Sequence, residues 1–202
     1  MQELEVIKLL QSHLRFNDAS IHKLKMFVKS VIDVNKEHNF ISKSTENNIW
    51  HRHVLDSAQL VKFISFKKGS LADLGSGAGF PGVVLAIFNC NTDFHVKLYE
   101  KSAVKSAFLK KIVKKLDLNA QIFNNVYEDN IKADYIVCRA FKKLDRIIQV
   151  SREIAKKPHK LIVLKGQNAQ EEINNAFKNT KYPYKLEKSM TNNNSKIFIA
   201  NF

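Results

Sequence analysis

Three alternate glycines follow a short apolar run, and their spacing is typical of a loop against which a small ligand lies. Gly75, Gly77 and Gly79 come directly after residues 71–74, a run that contains Asp73, and a helix-compatible stretch follows. Glycine adopts positive φ without strain and has no Cβ, so a ligand can approach the backbone closely. Because the chain has only six glycines, a binding loop is favoured over a turn that binds nothing.

The spacing of the glycines distinguishes between nucleotide ligands. A dinucleotide fingerprint has glycine at the first, third and sixth positions, and the sixth position counted from Gly75 is Phe80. No Lys-Ser or Lys-Thr pair follows, as it does in a phosphate-binding P-loop. Three alternate glycines after an apolar strand that contains Asp73 fit the S-adenosylmethionine loop of Rossmann-like methyltransferases better. Asp73, Gly75, Gly77 and Gly79 are therefore candidate cofactor-binding residues. Phe80 precedes Pro81 and is therefore extended, so its ring can turn towards the occupant of the loop.

Further candidates come directly after the second and third predicted strands, where ligands of open α/β sheets bind. Glu100 ends the second strand, roughly twenty-odd residues after the glycines, where a carboxylate can accept hydrogen bonds from ribose hydroxyls. Val126 and Tyr127 follow the third strand, in the loop 125–128. They can flank an adenine ring, although a plain loop fits these residues about as well.

A basic residue follows each of the next two strands. Arg139 comes after the fourth strand and is placed to reach into the cleft, the alternative being an ion pair with Asp134 or Asp145. Lys165 comes after the fifth strand, where it can contact an RNA phosphate or be a solvated lysine at the start of a helix.

One predicted helix, 101–116, is rich in lysine and has no acid before Asp117. Such a run is either a solvated face or a contact surface for a polyanion. The candidate RNA-binding lysines are Lys101, Lys105, Lys110, Lys111, Lys114 and Lys115.

The sequence supports neither metal chemistry nor an activated nucleophile. His51, Arg52, His53 and Asp56 offer nitrogen and oxygen ligands, but no cysteine or third histidine lies at metal spacing. A structural polar cluster between the helices and the following domain is favoured instead. No Gly-x-Ser-x-Gly elbow and no Cys–His pairing is recognisable, so no residue is assigned as a catalytic acid or base.

Composition indicates a globular protein that binds a polyanion. The chain has 202 residues, 45% of them hydrophobic and 26% charged, which predicts one α/β domain with an added segment. Lysine and arginine number 33 against 19 acids, giving a net charge of +14. This charge favours a nucleic-acid partner over a small neutral substrate, although a lysine-rich genome would raise the same count.

The chain has no long uncharged apolar run and no basic flank at its start. We therefore expect no transmembrane helix and no signal peptide, and a cytoplasmic location. In that compartment Cys90 and Cys138 are expected to be small buried hydrophobic residues rather than disulfide partners.

The chain divides by pattern into a helical segment, 1–66, and an α/β domain, 67–202. In the first part apolar residues recur at three and four positions, and residues 17–20 are predicted to form a loop and cap. In the second part, apolar runs alternate with helical stretches, which predicts parallel strands and right-handed crossovers. The predicted strands are 71–75, 95–100, 120–124, 134–138, 160–165, 183–188 and 196–201, and the predicted helices are 81–89, 101–116, 143–157 and 168–179. The last two strands leave no room for a helix between them, so they are predicted to form an antiparallel edge pair.

Several stretches, in the same order, resemble the signature of one known family. They are NKEHNFIS at 35–42, HVLDS at 53–57, DLGSGAGFPG at 73–82, RAF at 139–141 and LKGQ at 164–167. The chain resembles the bacterial small-subunit ribosomal RNA guanine-N7 methyltransferases of the glucose-inhibited-division B family, from about residue 20 to its end. The GFPG ending and the HVLDS stretch are specific to the family, whereas the glycine loop alone is not.

The resemblance implies a Rossmann-like class I methyltransferase fold, with a mostly parallel seven-stranded sheet, an antiparallel edge hairpin and a preceding helical segment. It implies S-adenosylmethionine as the cofactor, with contacts at Gly75, Phe80, Val126, Tyr127 and Arg139. Cys138 stands where the family usually has serine, and Glu100 stands where it frequently has a ribose-binding aspartate.

The family methylates one guanine in the decoding-region loop of 16S ribosomal RNA, so the resemblance implies that RNA, or the 30S subunit, as partner. Guanine N7 carries a free lone pair and no proton at neutral pH, so in-line methyl transfer to it needs no general base. We also expect a monomer with no metal and no membrane partner. One alternative is a non-catalytic RNA-binding or ribosome-assembly factor on the same scaffold, and a weaker one is a small-molecule or protein methyltransferase. The intact glycines, Glu100 and Arg139 argue against a decayed site.

Overall fold

A mostly parallel sheet forms the centre of the protein, in a computed structural model that describes residues 2–127, 131–178 and 182–202. The strands in this part of the chain are β1 (Gly69–Leu74), β2 (Phe94–Tyr99), β3 (Ala120–Phe123), β4 (Tyr135–Arg139), β5 (Lys160–Lys165), β6 (Tyr184–Lys188) and β7 (Lys196–Asn201). Every predicted strand is present, with ends at most two residues from those predicted.

The order of the strands places the glycine loop at a crevice. The sheet runs β3-β2-β1-β4-β5-β7-β6. The first five strands in chain order pair in parallel, whereas β7 is antiparallel to both β5 and β6, which confirms the predicted edge hairpin. The strands that follow β1 in the chain, β2 and β3, lie on one side of it, whereas β5, which follows β4, lies on the other side. The loops after β1 and β4 therefore run in opposite directions and leave a crevice between them. The glycine loop follows β1 and lies at this point.

Helices precede the sheet and connect several of its strands. The described helices are α1 (Glu3–Leu14), α2 (Asp18–Asn35), α3 (Lys43–Glu46), α4 (Asp56–Ala58), α5 (Gly82–Phe88), α6 (Ala103–Lys115), α7 (Leu144–Ile154) and α8 (Ala169–Ala176), with a π-helix at Trp50–Leu55 and a 3₁₀ helix at Gln59–Phe63. The predicted cap before α2 is confirmed, because the Asn17 side chain accepts the Ser20 N–H at 2.7 Å.

The helices of the second part are shorter than predicted. Helix α6 begins at Ala103, so Lys101 precedes the helix rather than lying on it. Helix α7 ends at Ile154, where the Lys156 N–H donates to the Ile131 carbonyl and holds the chain extended. Residue 179, the predicted end of the last helix, lies outside the described residues.

The helical segment and the sheet share one apolar core. Leu10, Leu24 and Phe27 from α1 and α2 are fully buried and belong to the same cluster as Leu71 of β1 and Val83 of α5. The boundary at residue 66 therefore stays a prediction about sequence pattern. Because buried side chains from before and after that boundary pack together, the helical segment is held in place beside the crevice.

The two cysteines differ in exposure. Cys138 in β4 is fully buried, as expected, but the prediction for Cys90 is wrong because its side chain is exposed. Helix α5 ends at Phe88, and Cys90 lies in the turn that leads to β2. Among the described residues, no helix has the length and apolar character needed to cross a bilayer.

Candidate active site

A cavity of about 570 Å³ lies at the carboxyl ends of β1, β2 and β4. The glycine loop, the loop after β3 and residues of the helical segment contribute its walls. The predicted cofactor-binding residues that line it are Gly75, Gly77, Phe80, Glu100, Val126, Tyr127 and Arg139. The structure thus brings together residues that are far apart along the chain.

Two glycines give the loop its shape. Gly75 and Gly77 have φ of +74° and +57°, values that residues with a Cβ rarely adopt. A Cβ on Gly75 would lie 2.6 Å from the ring of Phe141, whereas a Cβ on Gly77 would have only the Gly75 carbonyl oxygen near it, at 3.8 Å. The N–H groups of Gly75 and Ser76 donate to the Tyr99 carbonyl at 2.9 and 3.0 Å. The end of β2 therefore holds the loop, and Gly77 leaves open the space beside it.

Glu100 lies beneath this loop and is mostly buried. Its Oε2 accepts the Gly77 N–H and its Oε1 accepts the Ser102 N–H, each at 2.8 Å. A carboxylate offers about four acceptor sites, so these two bonds leave capacity for hydroxyl donors. Glu100 both fixes the loop and presents oxygens at the cavity wall.

The loop after β3 offers one buried and one exposed side chain. Val126 is buried at the cavity wall, while Tyr127 is 59% exposed and its N–H donates to Asn125 Oδ1 at 3.1 Å. An apolar side chain beside polar backbone groups suits the face and edge of a purine. Residue 128, the end of the predicted loop, lies outside the described residues.

Arg139 ends β4 and contacts the helical segment. Its Nη1 donates to the Arg52 carbonyl at 3.0 Å and lies 3.6 Å from Asp56 Oδ2, and its Nη2 donates to His53 Nδ1 at 2.6 Å. The guanidinium also lies 5.4 Å from the centroid of the Phe80 ring, a cation–π distance. Burial lowers the pKa of Arg139, but the Asp56 carboxylate opposes this shift, and a guanidinium stays charged at neutral pH.

Arg139 both reaches the cleft and forms an ion pair. Its partner is Asp56, not Asp134 or Asp145 as the sequence suggested. Asp134 instead lies 2.6 Å from Lys157 Nζ and accepts the Ser70 N–H at 2.8 Å.

His53 is neutral, and its neighbours define its tautomer. Because Arg139 can only donate, Nδ1 of His53 accepts, so the proton lies on Nε2 and is donated to Thr45 Oγ1 at 2.8 Å. The Thr45 hydroxyl donates onward to the Ser42 carbonyl at 2.9 Å. Burial, with the charges of Arg139 and Arg52, lowers the pKa of His53 to about 3.

Asp73 lies below the cavity rather than on its wall, and the predicted cofactor contact of this residue stays a prediction. The residue is fully buried, and its Oδ2 accepts the Gly82 N–H at 2.9 Å. Its Oδ1 has no hydrogen-bond partner among the described residues. Burial raises the pKa of Asp73 to about 7, although the hydrogen bond from the Gly82 N–H opposes this rise. Asp73 therefore fixes the start of α5 beneath the loop.

Comparison with known proteins identifies the family. The family model described as rRNA small subunit methyltransferase G matches residues 20–197. The chain belongs to this family. It is 39% identical over 178 residues to the ribosomal RNA small subunit methyltransferase G of Rickettsia felis, a match that covers 88% of this chain and 91% of that one. The corresponding protein of Orientia tsutsugamushi is 36% identical over 179 residues, or 88% of each chain.

A solved structure supports the fold. A SAM-dependent methyltransferase from Aquifex aeolicus aligns with a TM-score of 0.56 at 12% identity, covering 86% of this chain and 96% of that one. The predicted family and the Rossmann-like class I methyltransferase fold are thus confirmed.

Within this member of the methyltransferase G family, the third glycine of the loop has a packing role. Gly79 has φ of +101°, and a Cβ there would lie 2.7 Å from Val83 and 3.0 Å from the Phe27 ring. Gly79 is not among the cavity-lining residues. Its nearest side chains are those of Val83 in α5 and Phe27 in α2, and its predicted cofactor contact stays a prediction.

The predicted RNA-binding lysines fall into two groups. Lys101 and Lys105 line the cavity, at the start of α6. The other group, farther along α6, is exposed and consists of Lys110, Lys111, Lys114 and Lys115. The structure therefore separates a pair beside the cofactor cavity from a solvent-facing group.

Lys165 is placed differently from the prediction. Its Nζ lies 2.7 Å from Glu172 Oε2 and donates to the Lys142 carbonyl at 2.9 Å, and only 8% of its side chain is exposed. An ion-paired, mostly buried ammonium is not free to bind a phosphate, so the structure does not support the predicted RNA contact.

Sequence reasoning missed the contribution of the helical segment. Phe40, Ile41, Ser42 and His53 line the cavity, although the sequence pattern predicts only a family resemblance for the stretches that contain them. The sequence favours a structural polar cluster for His51, Arg52, His53 and Asp56. The available signal was that this cluster offers a histidine acceptor and an acid, the two kinds of partner that Arg139 takes in the structure. Among the described residues, no group of three or more His, Cys, Asp or Glu side chains is arranged to bind a metal.

Proposed function

We propose that this chain transfers a methyl group from S-adenosylmethionine to N7 of a guanine in the decoding-region loop of 16S ribosomal RNA. Its coarser activity, S-adenosylmethionine-dependent methylation of small-subunit ribosomal RNA, is that of the family to which it belongs. The observation that carries the proposal is the cavity in which the Gly77 backbone and the Glu100 carboxylate meet.

The cavity residues fit the cofactor in shape and polarity. A Cβ on Gly77 would fill space at the cavity wall, Glu100 offers acceptors to ribose hydroxyls, and Val126 offers an apolar surface to a purine. When bound there, S-adenosylmethionine supplies a methyl group activated on a sulfonium sulfur. We propose that the residues holding it are Gly75, Gly77, Phe80, Glu100, Val126 and Tyr127, with Arg139 fixing the wall formed by Phe80.

The polar groups at the cavity support transfer without a general base. Guanine N7 has no proton to remove, and both ring nitrogens of His53 are engaged, one by Arg139 and one by Thr45. Glu100 is bonded to two backbone N–H groups. What these residues supply is alignment of two bound reactants, which can contribute roughly 7–11 kcal/mol.

The charge distribution supports an RNA acceptor. The net charge is +14, and Lys101 and Lys105 line the cavity. The exposed lysines of α6 extend this positive surface away from the cavity. We propose that both groups contact RNA phosphates.

The proposal also covers the oligomeric state and the cellular location of the protein. We infer that the chain acts as a monomer, and that it acts in the cytoplasm because its acceptor is ribosomal RNA. Light scattering during size exclusion, with and without the cofactor, tests the first inference, and cell fractionation tests the second.

The experiment combines cofactor binding with mapping of the methylated atom. Calorimetry first measures binding of S-adenosylmethionine. Labelled methyl transfer is then followed on small ribosomal subunits that lack the modification, on their free 16S RNA and on free protein. Reduction followed by aniline cleaves RNA at N7-methylguanosine and locates the product.

The possible results of these experiments distinguish the proposal from its alternatives. Cofactor binding and a single cleavage in the decoding-region loop would support the proposal. Methylation at a guanine amine or at a ribose hydroxyl would overturn the N7 assignment. RNA binding without cofactor binding would instead support the non-catalytic assembly factor.

A further inference from the structure

A second recess adjoins the cofactor cavity. It has a volume of about 570 Å³ and lies at the carboxyl ends of β4 and β5, bounded on its far side by residues near the start of β7. His53 and the segment from Arg139 to Lys142 line both spaces. A ligand in this recess would therefore lie directly beside the cofactor site.

Unpaired positive side chains surround the recess. Arg52, Lys142, Lys143 and Lys196 line it, and within the described part of the chain none of them forms an ion pair. The two acids in its wall are already engaged. Glu172 pairs with Lys165, and Asp56 lies against Arg139 and accepts the Thr191 hydroxyl at 2.9 Å. The remaining charge favours an anionic ligand.

Phe141 stands at the boundary between the recess and the cofactor cavity. Its ring packs over Gly75, where a Cβ would lie 2.6 Å away, and it is partly exposed. Lys142 Nζ lies 5.6 Å from its centroid. Ala140, directly before it, has φ of +51°, a value that is uncommon for residues other than glycine and is found disproportionately at functional sites. An aromatic face is thus held beside unpaired lysines and next to the cofactor loop.

We propose that this recess binds the acceptor nucleotide, with its base stacked on Phe141 and its flanking phosphates held by Lys142 and Lys143. Arg52 and Lys196 lie on the recess wall and extend the same positive surface. The inference rests on the proposed function, since it requires an RNA acceptor. Proteins that hold single-stranded RNA combine a positive groove with aromatic side chains in this way. An acidic protein surface would use the charges but gain nothing from an aromatic ring at the cofactor boundary.

The charge component is tested with the double variant Lys142→Gln/Lys143→Gln. Its matched control is Lys67→Gln/Lys68→Gln, an adjacent exposed pair before β1, at the opposite end of the strands. We expect the recess variant to bind unmethylated small ribosomal subunits more weakly. Its salt slope should fall by about 0.7 for each lost contact to a single-stranded phosphate. The control should retain the slope of the unchanged protein, and calorimetry should give both variants the cofactor affinity of that protein.

The stacking component is tested with Phe141→Leu and Phe141→Tyr. Leucine keeps an apolar contact over Gly75 but loses the aromatic face, whereas tyrosine keeps the face. Under cofactor saturation, we expect kcat/KM for subunit methylation to fall by roughly 5- to 150-fold in the leucine variant. It should stay near the original value in the tyrosine variant, and circular dichroism checks that both variants fold.

The outcomes separate this inference from the function on which it rests. If the unchanged protein methylates the subunits but the leucine variant and the double lysine variant behave like their controls, the recess is not the acceptor site. A loss in the lysine variant without a loss in the leucine variant would indicate a charged protein or duplex contact and would also overturn it. Failure of the unchanged protein to methylate ribosomal RNA would contradict the proposed function itself.

Discussion

Arg139 joins the end of β4 to the helical segment at the wall of the cavity. It donates to the Arg52 carbonyl and to His53, pairs with Asp56 and lies over the Phe80 ring. A guanidinium presents five donors in a fixed fork, so the loss of one partner leaves a mostly buried N–H unsatisfied. The wall of the cavity thus depends on side chains from both parts of the chain.

The neutral state of His53 predicts a loss of stability in acid. Its pKa in the folded protein is about 3, below the ordinary value of 6.5, so its contribution is fully present above pH 6.5 and declines as the pH falls towards 3. At pH 5 the decline is about 2 kcal/mol. His53→Gln keeps an acceptor for Arg139 and does not titrate, so its free energy of unfolding should fall less between pH 7.5 and pH 5.

Urea unfolding at the two pH values measures this difference. His22→Gln, at an exposed position on α2, serves as the control and should follow the unchanged protein. An equal pH dependence in the unchanged protein and in His53→Gln would mean that His53 titrates normally.

Gly77→Val should remove cofactor binding while leaving the protein folded. The added side chain would project into the open space at the loop, and φ of +57° makes valine strained there, at a cost of about 1–3 kcal/mol of stability. Calorimetry well below the unfolding temperature should show no heat of binding. Gly166→Val is the control, since a Cβ at Gly166 meets nothing within 4 Å. Normal affinity in folded Gly77→Val would refute our interpretation of the loop.

Transfer to N7 predicts a chemical step that is nearly independent of pH. With both substrates saturating, single-turnover rates should be level from about pH 6 to 9, because no general base of ordinary pKa is needed. Asp73, whose pKa is about 7, lies under the loop, and Asp73→Asn shows whether it contributes. A steep acid limb that persists in Asp73→Asn, and disappears on replacing another carboxylate or histidine, would point to an acceptor that must lose a proton.

The side chains of helix α6 have different surroundings along its length. Phe108, Leu109 and Ile112 are buried against the core, which fixes the orientation of the helix. The lysines of its last two turns point away from this face, and one of them, Lys115, donates to Ser30 Oγ of α2 at 3.1 Å. Lys105, in the first turn, lies 5.9 Å from the Phe40 ring at the cavity. The helix thus connects the cofactor cavity to an outer positive surface.

Replacing the outer lysines should weaken RNA binding without affecting the cofactor. The variant carries glutamine at Lys110, Lys111, Lys114 and Lys115. Each lost phosphate contact should lower the log–log salt slope by about 0.7–0.9, as measured by binding to small ribosomal subunits between low and moderate salt. The control carries glutamine at Lys67, Lys68, Lys185 and Lys188, which lie before β1 and on the edge strand β6. Equal slopes in the two variants would identify the outer face of α6 as merely solvated.

At the scale of the molecule, one core spans both parts of the sequence. Side chains of α1 and α2 pack in the same cluster as those of β1 and α5. The Phe27 ring lies 5.1 Å from Phe80 at the glycine loop. Removing the helical segment would therefore expose apolar surface of the sheet and withdraw a wall of the cofactor cavity.

This shared core predicts a single cooperative unfolding transition. Trp50, the chain's only tryptophan, is buried in the helical segment, so its fluorescence reports on that segment. Far-ultraviolet circular dichroism reports on the whole chain. The two urea transitions should coincide. An earlier fluorescence transition would show that residues 1–66 form an independent unit, as the predicted boundary at residue 66 would allow.

The sequence by itself determined the order of the elements and the position of the glycine loop. Strand and helix periodicity are local properties, so the alternating pattern predicted every strand of the sheet. In a parallel sheet the carboxyl ends meet at one edge. Gly75, Glu100, Val126 and Arg139 could therefore be placed together before any contact was known. The family stretches identified the chemistry of the same edge.

Tertiary structure alone decided which partner each charged side chain takes. His53 and Arg139 are 86 residues apart, and no periodicity relates them. Lys165 turns to Glu172 instead of solvent, and Asp73 turns down to α5 instead of towards the cavity. Side-chain direction depends on the space and the donors that packing leaves nearby, and these are set only when distant segments meet.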